Sequence, residues 1–154
     1  MVKYQRVKAT EDHARELAET MRQADIEELW AGWSMKPLDA LLLVVGVRDT
    51  RTVLADGVVL CMYGTAPPVM LSFKGVPWML TSDIFPIHFR YFLRGSIEYI
   101  NEMKEKFEFL ENYVDARNPL AIRWLKWLGF KIGSPDPFGW LGAPFHRFEM
   151  EGIR

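Results

Sequence analysis

The apolar residues of this chain recur at two different spacings, which together predict a mixed α/β protein. Short alternating or β-rich runs predict strands at residues 4–9, 52–55, 58–63, 69–73, 76–81, 107–114 and 144–150. Apolar residues three and four apart predict helices at residues 11–22, 25–30, 38–46, 85–106 and 118–128. Strands and helices do not alternate strictly, so the order favours a mixed sheet over a doubly wound parallel one.

Capping and turn residues indicate where several of these elements begin and end. Thr10 precedes two acidic residues and is a natural N-cap for the first helix. The dipeptide Asp56–Gly57 lies between two β-rich runs and predicts a two-residue hairpin. Asn118 predicts the start of the last helix, and Gly129 predicts its left-handed end. The Gly- and Pro-rich stretch 134–142 predicts a loop.

Composition narrows the class of protein without naming a function. A length of 154 residues favours one domain spanning 1–154, and 49% hydrophobic with 25% charged residues is ordinary for a globular protein. The net charge of −1 gives no support for nucleic-acid binding. The longest apolar run, residues 40–47, is too short for a membrane span, so we expect a cytoplasmic protein. Cys61, the single cysteine, is expected to be a small buried hydrophobe, and no spacing supports a metal site.

Residues 118–130, Asn-Pro-Leu-Ala-Ile-Arg-Trp-Leu-Lys-Trp-Leu-Gly-Phe, carry the most specific signal. They resemble the Asn-x-x-Ala helix and following Gly-Phe of the GCN5-related N-acetyltransferase (GNAT) superfamily, whose element order the whole chain also follows. Residues 111–130 with 144–148 are most similar to a GNAT-like family of short-tailed bacteriophages, often labelled internal virion proteins. Capping and packing of an amphipathic helix explain the same segment by folding alone.

The resemblance implies a GNAT-like fold, with a central, mostly antiparallel, twisted sheet flanked by helices. It also implies an N-acyltransferase that moves an acetyl group from acetyl-CoA to an amine, on a small molecule or a protein, that the sequence does not name. The alternative is a catalytically degenerate GNAT-fold phage protein, acting as a virion, assembly or host-interaction factor. Its partners would be phage or host proteins, its location the host cytoplasm or the virion, and a homodimer is compatible with either.

The resemblance places a pyrophosphate loop, Arg/Gln-x-x-Gly-x-Gly/Ala, between the fourth strand and the long helix. Residues 80–96 lack that pattern, and Arg90 and Arg94 with Ser96 are the nearest substitutes by charge and hydrogen bonding. Arg90 and Arg94 are equally explained as one solvated helix face. The candidate cofactor-binding residues, including strand-end residues flanking the acetyl group and Asn118 at the pantetheine arm, are Leu80, Thr81, Arg90, Arg94, Gly95, Ser96 and Asn118.

GNAT proteins often carry a tyrosine acid seven residues after the motif asparagine, and here that position is Leu125. Tyr91 and Tyr113 are possible substitutes as proton donors. A leucine cannot donate a proton, so the motif predicts a fold more strongly than it predicts chemistry. Several tryptophans are also expected either to pack in the core or to line a groove for a substrate or partner, namely Trp30, Trp33, Trp124, Trp127 and Trp140.

Four residues, Asp83, His88, Glu27 and Glu28, are candidates for the catalytic base that an amine acceptor requires. Asp83 follows the predicted fourth strand, His88 precedes the long helix, and Glu28 lies beside Glu27 on a short helix. Each also has a purely structural explanation. Asp83 fits a turn or cap, His88 fits a helix start, and the two glutamates fit a solvated helix face.

Overall fold

The computed structural model describes residues 1–47, 49–66 and 72–153, and its elements follow the predicted order except for an additional strand at residues 131–138. The strands are β1 (Tyr4–Lys8), β2 (Arg51–Ala55), β3 (Val58–Ala66), β4 (Lys74–Thr81), β5 (Phe109–Asp115), β6 (Lys131–Phe138) and β7 (Ala143–Glu151). The helices are α1 (Glu11–Thr20), α2 (Gln23–Trp33), α3 (Pro37–Val44), α4 (Phe89–Lys106) and α5 (Pro119–Leu128), with a 3₁₀ turn at Phe85–His88 before α4. Residues 69–71 of the strand predicted at 69–73 lie outside the described residues.

Seven strands form one sheet in the order β1-β2-β3-β4-β5-β7-β6. Every neighbouring pair is antiparallel except β4 and β5, which run parallel. Those two strands pair only at Lys74 with Phe109 and at Gly75 with Leu110. Beyond Gly75 they diverge, which leaves an opening in the middle of the sheet. The predicted mixed, mostly antiparallel sheet flanked by helices is confirmed.

Two apolar clusters cover the two faces of this sheet. Leu17 of α1 and Leu41 of α3 pack with Met62 of β3 on one face. Phe92 of α4 and Leu125 of α5 belong to the cluster on the other face. Each such buried side chain contributes roughly 1.5–3 kcal/mol of transfer free energy. The helices on both faces therefore hold the sheet rigidly on either side of its opening.

The local signals for element ends are confirmed where they depend on adjacent residues. The hydroxyl of Thr10 accepts the N–H of His13 at 3.2 Å and caps α1. Asp56 and Gly57 both have positive φ, 48° and 80°, as a tight hairpin turn between β2 and β3 requires. Gly129 ends α5 with φ 101°.

The predicted loop at 134–142 is wrong in its first half, because β6 continues to Phe138. Pro135 and Pro137 suggested a loop, since proline has no N–H to give to a sheet. However, β6 is the edge strand beside β7, and an edge strand has one side that needs no donors. A register shift between Ile132 and Pro135 takes up the remaining irregularity.

Candidate active site

A cavity of about 280 Å³ lies at the opening between β4 and β5 and is lined from both faces of the sheet. Leu29, Trp33 and Val44 line it from the side of α2 and α3. Phe89 and Trp124 line it from the side of α4 and α5. The opening in the sheet therefore connects two half-cavities, and two molecules entering from opposite faces would meet at the ends of the strands.

Four polar side chains meet beside this opening and form what we call the polar centre: Arg22, Asp25, Thr81 and Asn118. The carboxylate of Asp25 accepts both the backbone N–H and the hydroxyl of Thr81. Arg22 donates to Thr81 Oγ1 at 3.2 Å, to Asp25 Oδ1 at 3.2 Å and to Asn118 Oδ1 at 3.3 Å. Because Arg22 bonds to the end of β4 and to the N-cap of α5, it fixes the distance across the opening.

Glu28 lies one turn further along α2 and lines the same cavity. Its Oε1 accepts the backbone N–H of Asp115 at 2.7 Å. Burial raises the pKa of Glu28 to about 8, and repulsion from Asp25 and Asp115 adds to the rise, although the Asp115 N–H and Arg22 oppose it. A carboxyl group with that pKa exchanges protons near neutral pH, which is what a general base requires.

On the edge of β4 that faces the opening, alternate residues direct their backbone N–H and C=O groups away from β3. Thr81 uses its N–H on Asp25 and its C=O on the N–H of Arg22, so both groups point away from β3. Alternate residues of a strand point the same way, so Met79 and Pro77 also face the opening. The Nδ2 group of Asn112 donates a hydrogen bond to Pro77 O at 2.8 Å. The N–H and C=O of Met79 therefore face the opening, where β4 has already diverged from β5.

Five of the predicted site residues line the cavity: Glu28, Leu80, Thr81, Ser96 and Asn118. Four of them already have hydrogen-bond partners, and those of Glu28 and Thr81 are given above. Ser96 Oγ donates to Leu93 O at 2.9 Å and is 3.4 Å from Trp124 Nε1. Asn118 Oδ1 caps α5 through the N–H of Ala121. The sequence left Glu27 and Glu28 as alternatives, and only Glu28 lies at the cavity, since Glu27 is exposed.

The other predicted site residues lie outside this lining, and their roles stay predictions. Asp83 is exposed in a turn, where its N–H donates to Thr20 O. His88 Nδ1 is 2.7 Å from the hydroxyl of Tyr4. The remaining three, on α4, are Arg90, Arg94 and Gly95, and both arginines are exposed.

The start of α4, where a GNAT pyrophosphate loop is expected, has its backbone donors engaged. The N–H groups of Phe85, Ile87 and Phe89 each donate to the carbonyl oxygen three residues earlier. Pro86 has no N–H to offer. An anion site at a helix N-terminus needs free N–H groups pointing at the ligand, so any phosphate held here would depend on side chains such as Arg90 and Arg94.

Tyrosine side chains contribute hydroxyl groups to the cavity lining. Tyr63 and Tyr113 both line it, whereas Tyr91 stacks on Tyr4 at a centroid distance of 3.6 Å outside it. Burial raises the pKa of Tyr63 to about 12, so its phenol keeps its proton at neutral pH. Leu125 packs in the core at 6% exposure.

The sequence analysis missed Arg22, Asp25 and Tyr63. A signal for the first two existed: Arg22, Asp25 and Glu28 are three residues apart and share a helix face with buried Leu29. A charged stripe on the buried side of a helix indicates a functional or structural network. Tyr63, within a continuous β-rich run, gave no comparable signal.

The tryptophans divide between the cavity and the surface. Trp33 and Trp124 line the cavity, while Trp127 is exposed on α5. Trp140, in the turn between β6 and β7, donates from Nε1 to Trp30 O at 2.7 Å, so this turn packs against α2. Of the five tryptophans expected to pack in the core or line a groove, Trp33 and Trp124 therefore lie at the cavity.

Three further observations concern the part of the chain that the structure describes. No group of three or more His, Cys, Asp or Glu residues there is arranged to hold a metal ion. None of the described helices has the length and apolar character needed to cross a membrane. Cys61 is buried, and burial raises the pKa of its thiol, which disfavours a reactive thiolate.

No family model and no curated protein matches the sequence. Solved structures match it over nearly its full length. The ribosomal-protein-S18-alanine N-acetyltransferase of Escherichia coli has a TM-score of 0.65 at 15% identity, covering 100% of this chain and 96% of that one. A GNAT-family acetyltransferase of Streptococcus pneumoniae has a TM-score of 0.59 at 15% identity, covering 97% and 99%. A Salmonella typhimurium protein assigned as an acetyltransferase, solved with its cofactor acetyl-CoA, has a TM-score of 0.65 at 10% identity, covering 96% and 93%. The chain therefore has the fold of the GNAT acetyltransferases.

Proposed function

We propose that this protein is a GNAT-type N-acyltransferase that moves an acetyl group from acetyl-CoA to an amine. The observation that carries the proposal is Glu28, a carboxyl with a pKa near 8 inside a cavity that opens through the sheet between β4 and β5. The fold, shared with acetyltransferases of which one was solved with acetyl-CoA, supports the same donor. Acetyl-CoA supplies the activated acetyl group, and the chain supplies position and proton transfer.

The donor would enter from the side of α4 and α5 and extend along the open edge of β4. The N–H and C=O of Met79, which face the opening, can pair with amide groups of an extended arm, as a strand edge pairs with a bound peptide. Leu80 and Thr81 then flank the acetyl group. Asn118 Oδ1 is engaged in capping, so Asn118 would contact the pantetheine arm through its Nδ2 group.

The acceptor would enter from the side of α2, where the base lies. Ionised Glu28 takes a proton from the acceptor ammonium, and the free amine attacks the thioester carbonyl carbon. The C–N bond forms and the C–S bond breaks. The nitrogen releases a second proton to solvent as the amide forms, and Glu28 returns its own proton to solvent. The leaving thiolate receives a proton. The phenols of Tyr63 and Tyr113 are the candidate donors of that proton, because Leu125 occupies the usual tyrosine position.

Donor binding is the first test of this proposal. We expect acetyl-CoA to bind at submillimolar concentration in calorimetry. Arg90→Ala and Arg94→Ala should each weaken binding by roughly tenfold if they hold the phosphates, since a charge-assisted hydrogen bond contributes about 1.5–3 kcal/mol. Arg15→Ala, an exposed arginine on α1, is the matched control. Absence of binding by both acetyl-CoA and CoA at millimolar concentration would refute the acyltransferase.

The role of the base is tested by turnover. Glu28→Gln keeps a side-chain oxygen that can accept the Asp115 N–H, but it removes the base. We therefore expect kcat/KM to fall by about 10²–10⁴-fold. Wild-type activity should rise with pH through about 8, because Glu28 must be ionised to act. Glu27→Gln is the matched control. Asp83→Asn and His88→Gln test the two other predicted bases, and a larger loss from either would reassign the role.

At the start of α4, backbone N–H groups already donate within their own turn, and this favours a second candidate function. A protein that lacks a pyrophosphate cradle, with Leu125 in the tyrosine position, fits a degenerate GNAT fold that acts by binding. In that case it would be a phage virion, assembly or host-interaction factor, in the host cytoplasm or the particle, as a monomer or homodimer. This candidate predicts that acetyl-CoA does not bind. It also predicts that the protein is recovered in purified phage particles, or bound to a phage or host protein.

A further inference from the structure

The half-cavity on the side of α2 and α3 combines buried carboxyl groups with apolar walls. From this combination we infer that the acceptor is a primary amine carrying an apolar group about the size of an aromatic ring. The inference rests on the proposed acyltransferase function and specifies its substrate.

The charge at this half-cavity favours a cationic ligand. Asp25 is 3% exposed and pairs with Arg22, and Asp115 is 1% exposed and pairs with Arg117 at 2.7 Å. Glu28 receives the neutral backbone N–H of Asp115 instead of an arginine. An ammonium group beside Glu28 would give this carboxyl the opposite charge that its two neighbours already have.

The walls around that carboxyl favour an apolar body on the ligand. The residues that line the cavity here from α2, α3, the segment between them and β4 are Leu29, Trp33, Met35, Leu43, Val44 and Trp78. At the mouth, Leu43 is 65% exposed and Trp33 is 40% exposed. Apolar groups left open at the rim of a concave site indicate where an apolar part of a ligand packs.

The same walls disfavour polar or polycationic amines. A second ammonium group would be desolvated against tryptophan and leucine side chains, which offer no acceptor for its N–H groups, at a cost of about 1–3 kcal/mol. An aromatic body, by contrast, would meet Trp33, whose ring already packs edge-on against Phe138 and Phe145. The geometry therefore selects for an arylalkylamine or an N-terminal residue with a large apolar side chain.

The test compares acceptors of equal amine chemistry with wild-type protein and saturating acetyl-CoA. We expect kcat/KM for 2-phenylethylamine to exceed that for ethanolamine or spermidine by about tenfold or more, the usual value of an apolar contact. Trp33→Ala and Leu43→Ser should reduce this preference at least threefold while leaving acetyl-CoA affinity unchanged. Trp127→Ala and Leu42→Ser are matched controls, since both residues are exposed and lie outside the cavity lining.

The outcomes separate this inference from the proposed function. If acetyl-CoA is turned over and ethanolamine or spermidine is the better acceptor, the apolar acceptor is wrong and the acyltransferase stands. If acetyl-CoA does not bind, calorimetry with 2-phenylethylamine and methylamine, with and without CoA, decides the inference alone. Tighter binding of 2-phenylethylamine that is weakened in Leu43→Ser supports an apolar-amine site. Equal or absent binding of the two amines overturns it.

Discussion

At the end of β4, Thr81 gives its N–H and its hydroxyl to Asp25, and Arg22 joins both to the start of α5. At the start of α4, the backbone N–H groups instead donate to carbonyls of their own turn, and Arg90 extends into solvent. The first region is assembled from three distant segments, and the second is built by neighbours in the chain. The difference shows that the centre of the cavity and the expected phosphate site depend on separate parts of the sequence.

Removing the carboxylate of the polar centre should have the largest effect. Asp25→Ala leaves Arg22 and the Thr81 N–H without their partner, so the free energy of unfolding should fall by about 3–5 kcal/mol. Urea denaturation measures this loss. Glu27→Ala, exposed on the same helix, should change stability by less than about 0.5 kcal/mol. A loss below about 1 kcal/mol for Asp25→Ala would mean that the polar centre does not stabilise the contact between β4 and α5 across the opening.

Glu28 should make stability depend on pH in a specific direction. The folded protein keeps this carboxyl protonated up to a pKa of about 8, while the unfolded chain releases the proton near 4.5. Stability is therefore lost as pH rises from 4.5 to 8. Glu28→Gln should remove that loss, making the variant roughly 2–4 kcal/mol more stable than wild type at pH 9 and about equal at pH 4.5.

Denaturation curves of Glu28→Gln and wild type at several pH values between 4.5 and 9 measure this difference, with Glu27→Gln as control. Parallel pH curves for the wild type and Glu28→Gln would show that Glu28 ionises like an exposed glutamate. The general-base assignment would then lose its physical basis, because it rests on the raised pKa of Glu28.

The turn between β6 and β7 packs against α2, and adding one methyl group to it at Gly139 should destabilise the protein. Gly139 has φ 74°, and a Cβ there would lie 2.3 Å from Ala31 O. Gly139→Ala should cost roughly 1–3 kcal/mol and detach Trp140 from Trp30. Gly142→Ala, at φ 63° with open space around it, carries only the backbone strain and should cost less. Equal losses in thermal denaturation would mean that packing of this turn contributes nothing.

The smallest stability effect is expected at the start of α4. Arg90→Ala and Arg94→Ala together should change the free energy of unfolding by less than about 0.5 kcal/mol, because both side chains are exposed. Urea denaturation of the double variant measures this. A loss above about 1 kcal/mol would show that these arginines stabilise the fold, and any weaker donor binding could then reflect local unfolding.

Local chemistry predicted most of the elements. Thr10, the Asp56–Gly57 turn and Gly129 act through neighbours within a few residues, so the sequence alone sufficed for them. The stretch 134–142 was predicted incorrectly, because the cost of Pro135 depends on whether its strand lies at the edge of the sheet. Strand order is set by long-range pairing, which no local pattern reveals.

The sequence alone predicted a mixed α/β chain whose last helix resembles that of GNAT proteins, with Leu125 at the position where the resemblance places a tyrosine. It left Glu27 and Glu28 equivalent, and it gave no reason to join Arg22 to Asn118. These points follow from tertiary contacts, because burial raises the pKa of Glu28 at the cavity, whereas Glu27 lies exposed on the same helix. A side chain's chemistry depends on the solvent and charges around it, and those are supplied by residues distant in the chain.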